Sequence, residues 1–227
     1  MEPIPPLPTA DQLWQALVPL RGLPTLVAVG LSVFLLVAPR DWRIVVAAFM
    51  GLSFSLALLM STLLPAEWAL LRVIVGGLVA VIWYLSAQRA GWGGRFLPFR
   101  SETGVNARPL SSLTWFRALM ALTAAGLLLV LRVRLPLPPV PPDIQIAATW
   151  LAVFALVGLG LGDEALQVGA ALLMWLGATQ LVLSALELDP WLFWLVSSAE
   201  LLVGLATGYL MVARGSPATR RVYEEGS

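Results

Sequence analysis

Seven apolar stretches alternate along the chain with short polar or proline-bearing breaks. They fall at 23–39, 44–64, 67–87, 113–132, 144–161, 164–186 and 190–213. A helix of about 20 apolar residues crosses the ~30 Å hydrocarbon core of a bilayer. The pattern therefore predicts an all-α polytopic membrane protein with seven transmembrane helices. The fifth stretch is short and carries Gly158, Gly160 and Gly162, which weaken a helix interior.

The breaks between the stretches define the remaining segments. Residues 1–22 form an N-terminal tail with Pro3, Pro5, Pro6 and Pro8 ahead of Asp11. Asp11 suits a helix cap, and Leu13, Trp14, Leu17 and Val18 form an apolar face, so a short interfacial helix is expected. No basic residue precedes the first apolar run, and a signal peptide is not expected. Residues 88–112 form a long basic loop in which arginines alternate with Trp92, Phe96 and Phe99. Arg89, Arg95, Arg100 and Arg108 suit anionic headgroups, at about 1 kcal/mol per charge, or a cytoplasmic partner. Residues 113–143 hold a fourth, linking helix and a loop, LPLPPVPP, that is too proline-rich for helix and is expected to be extended. Residues 215–227 form a polar tail.

Arginine sets the expected orientation. One set of loops holds nine arginines (Arg40, Arg43, Arg89, Arg95, Arg100, Arg108, Arg214, Arg220 and Arg221) and the other holds three (Arg21, Arg132 and Arg134). The excess marks the cytoplasmic side, which puts the N-terminus outside and the C-terminus in the cytoplasm. Trp42, Trp68, Trp92, Trp115 and Trp191 fall near proposed helix ends, as an aromatic belt requires.

The chain also carries the pattern of an internal duplication. Ala47–Ser61 reads AAFMGLSFSLALLMS and Ala170–Ser184 reads AALLMWLGATQLVLS. At a separation of 125, Pro65 pairs with Pro190, Tyr84-Leu85 with Tyr209-Leu210, and Arg89 with Arg214. The first helices share Thr25-x-x-Ala28-Val29 and Thr149-x-x-Ala152-Val153. The implied layout is 3+1+3, with repeats at 23–87 and 144–214. Four crossings separate the copies, so they enter the membrane from the same side as parallel repeats.

Composition narrows the chemistry. The chain is 59% hydrophobic and 12% charged, with mean hydropathy +0.86, outside the soluble range. It has no Cys, no His and no Lys, and all 14 basic residues are Arg. Disulfides, thiolate or imidazole metal ligation and a lysine Schiff base are thereby excluded. No nucleophile–base set or metal-ligand spacing is present, so neither an enzyme nor a cofactor carrier is expected. Nor is a nucleic-acid partner.

The candidate chemistry lies inside the apolar stretches. Glu200 sits ten residues into Pro190–Arg214, roughly 15 Å along the axis and near the midplane. A charge at that depth costs on the order of 2.5–3.5 kcal/mol, so it should face protein, water or a partner. Ser197, Gly204, Thr207 and Gly208 share its side of the helix. It reads as a proton-relay carboxylate, a cation ligand or a counter-charge, or else as a protonated acid bonded to a neighbouring helix. Arg72 lies roughly 7 Å into the third stretch and either snorkels outward or pairs with Glu200. Such a pair would lock the two halves together. Arg117 is expected to snorkel. Gln180, Thr179, Ser53, Ser55, Ser61 and Thr62 are candidates for interhelical hydrogen bonds. Gly76-Gly77 and Gly204-x-x-x-Gly208 are expected close-packing sites.

The last two helices carry Leu173-Met174-x-x-Gly177, Leu181-Val182-Leu183, a short acidic loop and Ser197-Ser198-Ala199-Glu200. With these the chain resembles the hydrogenase-4 component E family, relatives of the small three-helix subunit (4L or K type) of respiratory complex I. That family places an acidic residue beside the glycine of its penultimate helix; here Trp175-Leu176-Gly177 carries none. The resemblance implies a cofactor-free membrane subunit of a larger ion-translocating or redox complex, with any proton or cation path centred on Glu200. The alternative is an autonomous small transporter or channel with a midplane site at Glu200.

Overall fold

The computed structural model describes residues 19, 22–39, 41–92, 112–131, 140–186 and 190–215. Among them are seven helices: α1 (Leu23–Val37), α2 (Trp42–Met60), α3 (Ala66–Arg89), α4 (Ser112–Leu131), α5 (Pro142–Leu161), α6 (Ala165–Ala185) and α7 (Pro190–Gly215). The expected interfacial helix of the tail, the loop arginines Arg95, Arg100 and Arg108, residues 135–139 of the LPLPPVPP segment and the polar tail beyond Gly215 lie outside the described residues. The last proline of that segment, Pro142, is not in an extended loop as expected but opens α5, since proline fits the first helical turn. Arg89 closes the last turn of α3.

Helices α2, α3, α5, α6 and α7 are long and apolar enough to cross a membrane, while α1 and the described apolar part of α4 (Trp115–Leu131) are shorter. The protein is a polytopic helical membrane protein. Its lipid-facing side is apolar, with Leu23, Val27, Leu78, Leu122, Leu202 and Tyr209 among the exposed side chains. In water such a surface would aggregate; in acyl chains it is matched.

The helix ends follow from local chemistry. Asp41 starts α2 two residues before the apolar run, because its carboxylate accepts from the Arg43 backbone N–H at 3.0 Å. The same helix stops at Met60, short of the expected 64. There the Ser61 and Thr62 hydroxyls donate to the carbonyls of Leu58 (2.8 Å) and Leu59 (2.7 Å), tightening a turn ahead of Pro65. Helix α3 runs on to Arg89 and gives way to a turn at Gly91, whose φ of 76° suits glycine. Gly158 and Gly160 do not interrupt α5, which ends at Leu161. Gly158 is buried against Ala171, Met174 and Val37.

Helices α2 and α6 form the centre, with 67% and 61% of their apolar windows buried against 39–44% for α3, α5 and α7. Consecutive helices pack as neighbours within α1–α3 and within α5–α7. Across the bundle α1 lies on α5, α2 on α6 and α3 on α7, while α4 packs on α5 and α1. The core between them is a continuous cluster that includes Phe49 and Trp83, their rings 5.1 Å apart. Aromatic groups mark both ends. Trp42 meets Tyr84 at one end, and Trp68 meets Phe193 and Trp194 at the other.

Candidate functional site: a buried arginine–glutamate cluster

Helices α3, α6 and α7 each bring a polar side chain to one point inside the bundle. Arg72, Gln180, Ser197 and Glu200 are all buried there, with exposures of 1%, 0%, 3% and 2%. The Nη1 group of Arg72 donates to Glu200 Oε2 in a direct ion pair and to Gln180 Oε1 at 2.9 Å. Gln180 Nε2 in turn donates to Ser197 Oγ at 3.2 Å. Arg72 therefore does not snorkel.

Gly177 lies beside the cluster. A Cβ at Gly177, one turn from Gln180 on α6, would sit 3.4 Å from Arg72 Nη2 and 3.1 Å from Leu56 Cδ1. A side chain at Gly177 would therefore press first on Leu56 of α2 and meet Arg72 at ordinary contact distance.

The charges are not fully satisfied. Arg72 Nε and Nη2 and Glu200 Oε1 are buried without hydrogen-bond partners. Each charge taken from water costs several kcal/mol, so the two persist only because each neutralises the other. Chemically, the site holds a carboxylate tied to a guanidinium. To take a proton or a cation, Glu200 must first give up its contact with Arg72.

The small-residue face of α7 fixes the distance between α3 and α7. A Cβ at Gly204 would fall 2.8 and 2.9 Å from the Val79 methyls, and one at Gly208 2.9 Å from Ile82 Cγ2 and 2.8 Å from Ser86 Oγ. Trp83 Nε1 donates to the Gly204 carbonyl at 3.1 Å. On α3, Gly76 packs directly on Ser53 of α2. Gly77 does not share in this packing: nothing lies within 4 Å of its Cβ position. Adjacent residues point about 100° apart on a helix, so two glycines in sequence cannot face one neighbour.

Three further expectations need correction. Thr207 is not in the arginine cluster: it abuts Gly169 of α6, about two turns along α7 from Glu200. Arg117 is 2% exposed and does not snorkel; its Nη2 donates to the Leu161 carbonyl and, at 2.5 Å, to Gln167 Oε1. It packs at the carbonyl end of α5, where cations are favoured. The hydroxyls of Ser55, Thr62 and Thr179 bond carbonyls of their own helices rather than crossing between helices, and Ser61 also donates to the Leu58 carbonyl of α2. In an apolar setting the nearest carbonyl lies one turn back. Ser53 Oγ is buried without a partner.

Sequence reasoning missed the close approach of Leu56 to Gly177, the Trp83 hydrogen bond and the Arg117–Gln167 contact. A signal existed for Trp83, which sits well inside its apolar stretch and away from the aromatic belt. Gly177 lies three residues before Gln180, on the same helix face.

The fold and cluster define a polytopic helical membrane protein with a charge-paired core. Compared with known protein families, curated proteins and solved structures, the chain matches none.

Proposed function

We propose that the protein is a non-catalytic integral membrane subunit of a larger ion-translocating or redox membrane complex. The observation that carries this reading is the Arg72–Glu200 pair. The buried acid on which a midplane ion site would depend is held by a guanidinium, and it joins three helices into one body. Tight glycine contacts at Gly204 and Gly208 hold two of these helices, α3 and α7, close. A subunit that braces a larger assembly needs such rigidity. An autonomous transporter needs water to reach Glu200, which is 2% exposed.

The likeness of the last two helices to hydrogenase-4 component E and the complex I small subunit supports the same reading. The proposed 3+1+3 duplication draws support from the pairing of α1 with α5, α2 with α6 and α3 with α7. Orientation follows the arginine excess, with the N-terminus outside and the loop at 88–112 cytoplasmic.

Purification in a mild detergent tests the proposal. Stoichiometric associated membrane subunits are expected. A homogeneous monomer or homodimer that moves ions in liposomes by itself would overturn the proposal in favour of the transporter. In the assembled complex, Glu200→Gln is expected to weaken retention of the subunit rather than to abolish turnover of complexes that still contain it.

A further inference from the structure

A second feature lies away from the arginine cluster, at the end of the bundle where α5 turns into α6. An open groove of about 350 Å³ runs between α6 and α7. Its walls are small or apolar, including Gly169, Leu172, Val203 and Ala206. Leu172, Leu210 and Ala206 are exposed, so it opens toward the acyl-chain side. Its mouth carries charges of both signs: Asp163 and Glu164 from the α5–α6 turn, and Arg214 from the last turn of α7. Glu164 precedes α6 but makes no side-chain cap to it.

Between mouth and wall lies Thr207. It is 5% exposed and lines the groove. Among the described residues its hydroxyl has no hydrogen-bond partner, although most hydroxyls in this bundle bond a carbonyl of their own helix. Seven residues separate Thr207 from Arg214, roughly 10 Å along the helix.

We infer that this groove binds one phospholipid with a zwitterionic, primary-amine headgroup. Arg214 takes the phosphate, Asp163 and Glu164 take the ammonium, Thr207 donates to an ester carbonyl, and an acyl chain lies along Gly169, Val203 and Ala206. An anionic headgroup would bring negative charge to two carboxylates. A choline headgroup offers no N–H donor to them. The charge pattern therefore selects the amine.

Native mass spectrometry of the full chain, delipidated and then titrated with phosphatidylethanolamine, phosphatidylcholine or phosphatidylglycerol of matched chains, tests the inference. One bound phosphatidylethanolamine is expected, about tenfold tighter than the other two, the scale of one charge-assisted hydrogen bond. Arg214→Gln should weaken all phosphate lipids, while Asp163→Asn with Glu164→Gln should erase only the preference for the amine. Ala206→Phe fills the groove from an exposed position and should abolish the site at unchanged thermal stability. Equal binding of the three lipids, or full retention by Ala206→Phe, would overturn the inference. Binding of glycerophosphoethanolamine as tightly as the intact lipid would also overturn it, since the apolar wall would then contribute nothing.

Discussion

Replacing Glu200 with leucine is expected to destabilise the protein by about 3–5 kcal/mol, the scale for breaking a buried ion pair from one side. The loss does not come mainly from the missing contact. It comes from Arg72, which is 1% exposed and has no other carboxylate to meet among the described residues. A guanidinium keeps its charge at any workable pH, so it must stay buried and cationic or tear α3 away from α6. Removing the base instead is milder. In Arg72→Met the orphaned carboxyl can neutralise itself by taking up a proton, and the thioether chain fills part of the space beside Gly177. Glu200→Leu should therefore lose more than Arg72→Met. Reversible unfolding in bicelles reads both. Equal losses would show that the asymmetry of the two charges does not govern the site.

The second large effect is steric. Gly204→Leu places a side chain where Val79 already stands, with the first new carbon at 2.8 Å from a methyl. Val79 is 0% exposed and cannot swing away. Helices α3 and α7 must separate, which also stretches the Trp83 Nε1 bond to the Gly204 carbonyl. Overpacking costs about 1–3 kcal/mol and the hydrogen bond about 1 kcal/mol, so a loss of about 3 kcal/mol is expected. Gly77→Leu is the control, because that position faces open space. It should change stability by no more than about 1 kcal/mol, and favourably, since glycine is a poor helix former. Similar losses at Gly204 and Gly77 would mean that the α3–α7 spacing is not set by this face.

The element order was readable because hydropathy over about 20 residues has little competition in a membrane protein. Every helix expected from the apolar stretches is present, and most ends moved by only one or two residues. Helix α2 moved most, since its last apolar residues, Leu63 and Leu64, belong to a turn. Apolar content marks what sits in lipid or core, not where the backbone bends. In the cluster, Glu200 and Arg72 stood out because charge is rare at depth.

What the sequence did not carry was which face of each helix meets which neighbour. Gly76 and Gly77 look alike in a string, yet only one touches another helix. Thr207 lies close to Glu200 in angle, but it sits about two turns further along α7 and there meets Gly169 of α6. Arg117 resembled a snorkelling residue because its burial depends on α5 and α6, more than 40 residues further along. Such facts depend on helix rotation, which hydropathy does not encode when the lipid-facing and core-facing sides are both apolar.

A double-mutant cycle on Arg72 and Glu200 is the most direct measurement of whether they act as a closed pair bracing α3, α6 and α7. Unfolding free energies of Glu200→Leu, Arg72→Met and the double variant would be compared in the same bicelles. The double variant should be more stable than Glu200→Leu alone by at least about 2 kcal/mol, because removing both charges leaves neither one stranded. Losses that simply add would contradict the pair and leave Glu200 as an independent acid inside the membrane.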